Sequence, residues 1–288
     1  MEVKVIEPYG YCAGVLLAIK IALEAKARYE GKRIYLVGML VHNEESVEML
    51  SKKGFSLIDE RKTDLREALL SLQEGDVVIF SAHGHPYDYD ELAKNKGLIA
   101  IDATCRFVKE NVMDAKNALE KGDEILYLGS KGHLETTGFL ANLPEASFFD
   151  VKSMKLLKNL CHGNSPLVFS QTTLSEIEIE ESLTLLRASF PNLRTASLRC
   201  HSTQLRQSRI AALDESVETV IVLGSKTSNN SMKLFEIAKE NGKEAYICLN
   251  LNEVKALDLS KHKKIALASG ASTSRETFEE VREYLLSL

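Results

Sequence analysis

Apolar and polar positions along the chain follow two alternating patterns. Short continuous apolar runs are typical of buried strands, whereas apolar residues that recur every three to four positions are typical of amphipathic helices. The first pattern predicts strands at 3–6, 34–37, 77–80, 99–102, 124–128, 167–169, 220–223, 245–249 and 264–268, and the second predicts helices at 15–29, 63–72, 108–121, 175–189, 204–213, 232–241 and 275–287. Strands that alternate with helices in this way predict an α/β fold with mainly parallel sheets.

The pattern is repeated three times, and a cysteine before a predicted helix marks each repeat. Cys105 follows Cys12 by 93 residues and Cys200 follows Cys105 by 95, whereas one third of the 288 residues is 96. After each cysteine, one strand ends in glycine (Gly38, Gly129, Gly224) and a later strand ends in serine (Ser81, Ser170, Ser269). Self-similarity at a fixed period indicates repeated structural units. We therefore predict three α/β units related by a pseudo-threefold axis, at residues 1–98, 99–193 and 194–288.

The composition excludes several classes of protein. The chain has 36 Lys and Arg residues against 41 Asp and Glu, a formal charge of −5 that argues against a nucleic-acid-binding surface. No apolar run approaches the roughly 18 residues of a membrane span, and residues 1–7 alternate like a strand and do not resemble a signal peptide. Five cysteines in such a chain favour metal binding or catalysis over disulfides. We therefore expect a cytoplasmic protein that binds neither nucleic acid nor a membrane.

Three of the cysteines, Cys12, Cys105 and Cys200, occupy predicted strand-to-helix turns. In open parallel sheets these turns lie at the edge where ligands bind, so three such units would direct three thiolates at one centre. Thiolates favour zinc, copper(I) or an iron–sulfur cluster, but the close cysteine pairs usual for structural zinc are absent. Three ligands would leave one iron of a [4Fe–4S] cluster open to a substrate. The spacing alone leaves a cluster, zinc and unbound thiols as alternatives, and Cys161 and Cys248 fit core positions.

Small polar and imidazole side chains gather at the other predicted strand ends, where His42, His83 and His133 occupy equivalent positions. Turns rich in Ser, Thr and Asn precede residues 232 and 276, and such turns suit an anion at a helix N-terminus, although ordinary N-capping favours the same residues. No nucleotide-binding glycine motif is present, so a small anion fits better. Glu135 is the carboxylate of this polar set and a candidate general acid. We interpret the remaining histidines, His85, His162, His201 and His262, as structural.

Nine short motifs together resemble one enzyme family over essentially the whole chain. They are GYCAGV at 10–15, VHN at 41–43, SAHG at 81–84, DATC at 102–105, GHLE at 132–135, QTT at 171–173, RQ at 206–207, GSK at 224–226 and GAS at 270–272. In combination they resemble the 4-hydroxy-3-methylbut-2-enyl diphosphate reductases of the non-mevalonate isoprenoid pathway.

The resemblance implies a trefoil of three α/β units around a central [4Fe–4S] cluster, with Cys12, Cys105 and Cys200 as its ligands and an open fourth iron. It implies reductive dehydroxylation of an allylic diphosphate to isopentenyl and dimethylallyl diphosphate, the last step of that pathway. Glu135 and Thr172 match the family's catalytic residues. The implied substrate-binding residues are His42, His83, His133, Thr172, Ser228, Asn229, Asn230 and Ser272. Electrons would come from a ferredoxin- or flavodoxin-type partner.

The motifs also depart from the family pattern. Arg106 follows Cys105 where proline is usual, Asn229 replaces a hydroxyl residue, and Thr273-Ser274 follows where proline is favoured. Several departures lie near the predicted diphosphate turns. Three alternatives therefore remain: a related iron–sulfur reductase with a different substrate, a non-catalytic iron–sulfur electron-transfer or redox-sensing protein, and a zinc-binding structural protein.

Overall fold

The computed structural model describes residues 1–196 and 200–288. The strands in these residues are β1 (Glu2–Val5), β2 (Ile34–Val37), β3 (Ser56–Ile58), β4 (Val77–Phe80), β5 (Ile99–Asp102), β6 (Ile125–Gly129), β7 (Ser147–Asp150), β8 (Lys155–Lys158), β9 (Leu167–Ser170), β10 (Arg194–Thr195), β11 (Thr219–Leu223), β12 (Glu244–Cys248) and β13 (Lys264–Ser269). The helices are α1 (Ala13–Arg28), α2 (Glu44–Lys52), α3 (Leu65–Ser71), α4 (Asp88–Asn95), α5 (Arg106–Glu120), α6 (Leu134–Asn142), α7 (Glu176–Leu186), α8 (His201–Ala211), α9 (Asn229–Glu240), α10 (Leu251–Lys255) and α11 (Arg275–Ser287).

The chain divides into two compact units, which we name for their place in the sequence. The terminal unit comprises Met1–Leu16, Val41–Lys53 and His201–Leu288. The middle unit comprises Leu17–Leu40 and Gly54–Cys200. Within the described residues, no helix combines the length and the apolar character that crossing a membrane requires.

The terminal unit contains a four-stranded sheet in the order β1-β13-β11-β12, in which every strand pair is parallel. All residues of β11 are buried, and successive side chains face opposite sides of the sheet. Val222 packs with Leu234 of α9 on one side. Leu223 packs with Phe278 of α11 on the other. Helices therefore cover both faces, which is the usual environment of a parallel sheet.

The middle unit contains two sheets. One has the order β3-β2-β4-β5 and is parallel throughout. The other has the order β10-β9-β6-β7-β8 and is parallel except where β8 runs antiparallel to β7. In this second sheet, Tyr127 of β6 stacks on Phe139 of α6, while Leu126 and Leu128 face Leu183 of α7. Each central strand is therefore buried on both sides.

The predicted α/β fold with mainly parallel sheets is confirmed. All nine predicted strands lie within one residue of an observed strand, and the seven predicted helices correspond to α1, α3, α5, α7, α8, α9 and α11. Four strands (β3, β7, β8 and β10) and four helices (α2, α4, α6 and α10) were missed. β3, β8 and β10 contain no buried residue, so they lack the continuous apolar run of a buried strand. The four missed helices contain nine residues or fewer.

At each boundary of the predicted threefold division, one strand pairs with a strand from another predicted repeat. The first observed strands within the three predicted ranges are β1, β5 and β10, and they pair with β13, β4 and β9. The first strand of each predicted repeat therefore extends a sheet formed by another repeat. The division at 1–98, 99–193 and 194–288 stays a prediction.

Two glycines at strand ends leave room for a hydroxyl side chain from the first turn of the helix that follows. A Cβ atom on Gly129 would lie 2.4 Å from the Thr136 hydroxyl, and one on Gly224 would lie 2.3 Å from the Ser231 hydroxyl. Thr136 and Ser231 each stand third in their helices, α6 and α9. The same close approach explains why both of these repeat landmarks are glycine.

Candidate functional site

The backbone of the terminal unit ties Cys12 to the turn after β13. The Cys12 N–H donates to the Ala271 carbonyl at 3.0 Å, and the Val15 N–H lies 3.5 Å from the Cys12 sulfur. Tyr11, which precedes the cysteine, has its hydroxyl 3.0 Å from that of Ser46 in α2. Cys12 is half-buried and stands directly before α1. Its position is therefore fixed by backbone contacts on both sides.

A buried arginine supports the segment that leads to Cys12. Arg206 of α8 is only 2% exposed. Its guanidinium donates to the carbonyls of Pro8, Gly10 and Ser269, each at 2.8 Å. Three carbonyls in a fixed arrangement match the rigid fork of donors that arginine presents. The sequence contained Arg206 within a motif but gave no sign of this supporting contact.

The predicted anion-binding residues of the terminal unit lie on converging turns. The Ser272 hydroxyl donates to the His42 carbonyl at 3.0 Å, which joins the turn after β13 to the start of α2. Ser228 is the N-cap of α9, and a Cβ atom on Gly270 would lie 3.7 Å from the Asn230 amide nitrogen. Asn230 is 4% exposed, and neither of its amide atoms has a partner among the described residues. Such unmet polar atoms suit an anionic or polar ligand.

Two of the departures from the family pattern have structural roles. The Thr273 hydroxyl donates to the Leu223 carbonyl at 2.8 Å, and Ser274 caps α11 by accepting the Thr277 N–H at 2.9 Å. Asn229 is the first residue of α9 and is half-buried. Asn229 is also itself one of the predicted substrate-binding residues.

In the middle unit, Cys105 is the N-cap of α5. Its N–H donates to the Ala82 carbonyl at 3.0 Å, so the cysteine lies against the turn that carries His83. The rings of His83 and His133 approach to 5.6 Å between centroids. His133 caps α6, since its Nδ1 accepts the Glu135 N–H at 3.2 Å. A neutral His133 ring therefore carries its proton on Nε2.

Glu135 is the one predicted acid, and it is 3% exposed. The Thr172 N–H and the Thr172 hydroxyl each donate to its carboxylate at 2.8 Å. Burial raises the pKa of Glu135 to about 7, although the two Thr172 donors act to lower it. A carboxyl group with this pKa holds a proton on a large fraction of molecules at neutral pH, as a general acid must.

Gln171 is a supporting residue that sequence reasoning did not assign. Its side-chain oxygen accepts the Ser130 N–H at 2.9 Å and the Thr136 hydroxyl at 3.2 Å, while its amide donates to Thr173 at 2.7 Å. These contacts join the end of β9 to α6 and hold the neighbouring Thr172 beside Glu135. Only the adjacency of Gln171 to Thr172 within the motif could have suggested this role.

Thiols of two kinds are present. Cys12, Cys105 and Cys200 are half-buried and directly precede α1, α5 and α8, and helix N-termini stabilise anions such as thiolates. Cys248 lies in the core of β12, as predicted, where burial raises the pKa of its thiol to about 11. Cys161 is half-buried with its sulfur 3.2 Å from the Ser147 hydroxyl. All five cysteines lie in the described residues, and none forms a disulfide.

The predicted site residues fall into two groups, one in each unit. The terminal unit holds Cys12, His42, Ser228, Asn229, Asn230 and Ser272, and the middle unit holds His83, Cys105, His133, Glu135, Thr172 and Cys200. Within the part of the chain that the structure describes, no three His, Cys, Asp or Glu side chains are already arranged as a metal site. The donor set is nevertheless suited to an iron–sulfur cluster, because three thiols stand at helix N-termini.

Comparison with known proteins tests the resemblance that the motifs indicated. The model of the LytB protein family matches residues 3–286. The 4-hydroxy-3-methylbut-2-enyl diphosphate reductase of Caldanaerobacter subterraneus subsp. tengcongensis is 33% identical over 100% of this chain and 98% of its own length. That of Bacillus subtilis is 33% identical over 99% of this chain and 90% of its own length.

Two solved structures share the fold. The E-1-hydroxy-2-methyl-but-2-enyl-4-diphosphate reductase of Plasmodium falciparum superposes with a TM-score of 0.85 at 29% identity, covering 99% of this chain and 87% of its own. A structure of (E)-4-hydroxy-3-methyl-but-2-enyl diphosphate reductase, the terminal enzyme of the non-mevalonate pathway, has a TM-score of 0.68 at 26% identity and covers all of both chains. The resemblance read from the motifs is confirmed. The chain belongs to the LytB protein family.

Proposed function

We propose that this protein is a 4-hydroxy-3-methylbut-2-enyl diphosphate reductase that removes the substrate hydroxyl reductively and forms isopentenyl and dimethylallyl diphosphate. Membership of the LytB family and full-length similarity to reductases of that name support the proposal. The observation that carries it is the buried carboxyl group of Glu135, held by Thr172 with its pKa at about 7. This reaction needs such a proton donor at neutral pH.

Cys12, Cys105 and Cys200 would hold a [4Fe–4S] cluster, one cysteine from each of the three predicted repeats at 1–98, 99–193 and 194–288. When bound, the cluster would supply electrons one at a time and Lewis acidity at an iron without a protein ligand. Arg106, next to Cys105, has an exposed guanidinium that lies 3.8 Å from the Glu110 carboxylate, so this pair adds little net charge beside the predicted ligand.

Uncharged donors and histidines would bind the diphosphate. In the terminal unit these are the hydroxyls of Ser228 and Ser272, the amides of Asn229 and Asn230, and His42. His83 and His133 of the middle unit would complete the set of donors. The unmet amide atoms of Asn230 support this role, because a buried polar group without a partner is costly unless a ligand satisfies it.

Glu135 would supply the proton that turns the leaving hydroxyl into water, with the Thr172 hydroxyl as the adjacent donor. The whole conversion consumes two electrons and two protons, breaks one carbon–oxygen bond, and forms one carbon–hydrogen bond and one water. The two electrons would come from a ferredoxin- or flavodoxin-type protein. The five thiols, none of which is in a disulfide, support a reducing compartment such as the cytoplasm.

Anaerobic reconstitution and assay with the allylic diphosphate and a reduced viologen test the proposal. We expect roughly four iron and four sulfide per chain, and formation of both isoprenoid diphosphates. Glu135→Gln should retain the cluster and lose on the order of 100-fold in kcat. An intact cluster without turnover would contradict the proposal and favour either another substrate or an electron-transfer role. Recovery of turnover in Asn229→Ser would then favour another substrate over an electron-transfer role. Zinc in place of iron would indicate a structural metal protein.

A further inference from the structure

The turn after β4 carries a second histidine that is as deeply buried as the residues of the core. His85 is 6% exposed, and its ring stacks on Phe80 with 3.8 Å between centroids. Its Nε2 lies 3.1 Å from a carboxylate oxygen of Asp90 in α4, whose side chain is 49% exposed. The ring therefore lies in the interior while its carboxylate partner reaches solvent.

One nitrogen of the His85 ring has no hydrogen-bond partner among the described residues. With Nε2–H donating to Asp90, the other ring nitrogen, Nδ1, must either accept a hydrogen bond or carry a second proton. Nδ1 is buried and has no partner among the described residues. A structural role accounts for the Phe80 stacking and the Asp90 contact, but it does not account for Nδ1, because a buried polar atom left unpaired is destabilising.

Two hydrogen bonds join the turn that carries His85 to α6, the helix that carries Glu135. Asn142 of α6 accepts the Tyr87 N–H at 2.7 Å and donates to the His85 carbonyl at 3.0 Å. Gly138 of the same helix allows the backbone of His85 to approach closely, since a Cβ atom on Gly138 would lie 3.2 Å from the His85 backbone nitrogen. Glu135, Gly138 and Asn142 are spaced by three and four residues, so they share one face of α6.

A small cavity lies along this contact. Its volume is about 20 Å³, enough for one water molecule. Both His85 and Glu135 line it. The other titratable side chains on its wall are His83, Tyr87, Asp102 and Lys109, from the turn, from β5 and from α5. Lys109 is paired with Asp102 at 2.7 Å, so this ion pair adds little net charge to the wall.

We propose that His85, supported by Asp90, is a proton store that recharges Glu135 through one water molecule in this cavity. The inference rests on the proposed function, in which Glu135 is the acid. Two protons are needed per turnover, and Glu135 holds one. The His85 imidazolium would pass its Nδ1 proton to the water while the water passes a proton to the Glu135 carboxylate. No electrons move in this step, and Nε2–H remains bonded to Asp90.

Infrared titration of Glu135 tests the coupling in a way that does not depend on activity. The carbonyl stretch of the protonated carboxyl is identified by its loss in Glu135→Gln. In His85→Gln the proposed stored proton and its positive charge are lost, so the pKa of Glu135 should rise by about half a unit or more. The matched control is His162→Gln, an exposed histidine of the same unit, which should leave that pKa unchanged. An unchanged pKa in His85→Gln would overturn the inference.

Turnover provides the second measurement. His85→Gln should lower kcat roughly tenfold with KM unchanged, and should raise the solvent deuterium isotope effect because proton supply becomes rate-limiting. Asp90→Asn should fall between this variant and the wild type. If His85→Gln turned over at the wild-type rate, this inference would be overturned and the proposed function would stand. An intact cluster with no wild-type turnover would overturn the proposed function, and this inference with it.

Discussion

Thr172 donates both its backbone N–H and its hydroxyl to the carboxylate of Glu135, each at 2.8 Å. The two residues are 37 positions apart in the sequence, and the parallel pairing of β6 with β9 brings them together. Burial favours the protonated carboxyl, whereas the two donors favour the carboxylate. The pKa of about 7 is the balance of these opposing effects.

Thr172→Val removes one of the two donors and keeps the shape of the side chain. We expect the pKa of Glu135 to rise above about 7, because the carboxylate loses a hydrogen bond. Since the acid must be protonated to act, the loss of activity at high pH should shift to higher pH in the profile of kcat/KM. The control is Thr137→Val, an exposed threonine of α6. A profile that moves equally in both variants, or in neither, would contradict the assignment.

Glu135 should also make the protein less stable as pH rises. Its folded-state pKa of about 7 exceeds the roughly 4.3 of an exposed glutamate, so between these values the folded state binds more protons than the unfolded state. The free energy of unfolding therefore falls as pH rises through this window, by about 1.4 kcal/mol per unit at most, and is constant above it.

Glu135→Gln removes this titration. Thermal unfolding should show a Tm higher than that of the wild type by on the order of 5 °C at pH 8, with a much smaller difference near pH 4.5. Glu180→Gln, an exposed glutamate of α7, serves as the control and should show no such pH-dependent gain. Equal Tm differences at the two pH values would show that Glu135 is not penalised by burial.

The supporting role of Arg206 leads to a prediction for Cys12. Lysine has one compact charged group and would not reach the carbonyls of Pro8, Gly10 and Ser269 together, so Arg206→Lys leaves buried acceptors unpaired. We expect a loss of roughly 2–3 kcal/mol in the free energy of unfolding, and less iron bound per chain after reconstitution. Arg209→Lys on the same helix is exposed and should change neither quantity. Identical behaviour of the two variants would refute the role.

Strong local patterns made much of the architecture predictable. The apolar runs of the central strands predicted their positions to within one residue, because these strands are buried on both faces. The threefold spacing singled out Cys12, Cys105 and Cys200, and each directly precedes a helix. Of the two cysteines predicted to fit core positions, Cys248 is buried in β12, whereas Cys161 is only half-buried.

The contacts that tune the site could not be predicted in the same way. Three sets of hydrogen bonds join residues that are distant in sequence: those of Thr172 with Glu135, of Asn142 with the turn that carries His85, and of Arg206 with backbone carbonyls. Such contacts depend on strand register and helix packing, which a single sequence does not display. The short helix α6 was missed as well, although Glu135 lies in its first turn.

Asn230 and Ser274 lie near neighbouring turns of the terminal unit but should respond to substitution in opposite ways. Both amide atoms of Asn230 lack a partner in the described residues, so Asn230→Ala breaks no hydrogen bond and should leave Tm nearly unchanged. A hydrogen bond to a charged ligand contributes about 1.5–3 kcal/mol, so KM for the diphosphate should rise at least roughly tenfold.

Ser274→Ala is the matched counterpart. It removes the cap that accepts the Thr277 N–H at 2.9 Å, and a lost cap costs about 1 kcal/mol, or roughly 2–4 °C in Tm. Because Ser274 is engaged with its own helix, KM should not change. Thermal scans and steady-state kinetics of the two variants should therefore give a crossed result: one raises KM at constant Tm, and the other lowers Tm at constant KM. If Asn230→Ala lowered Tm and left KM unchanged, its amide would be a structural group, and the diphosphate would have to be bound without it.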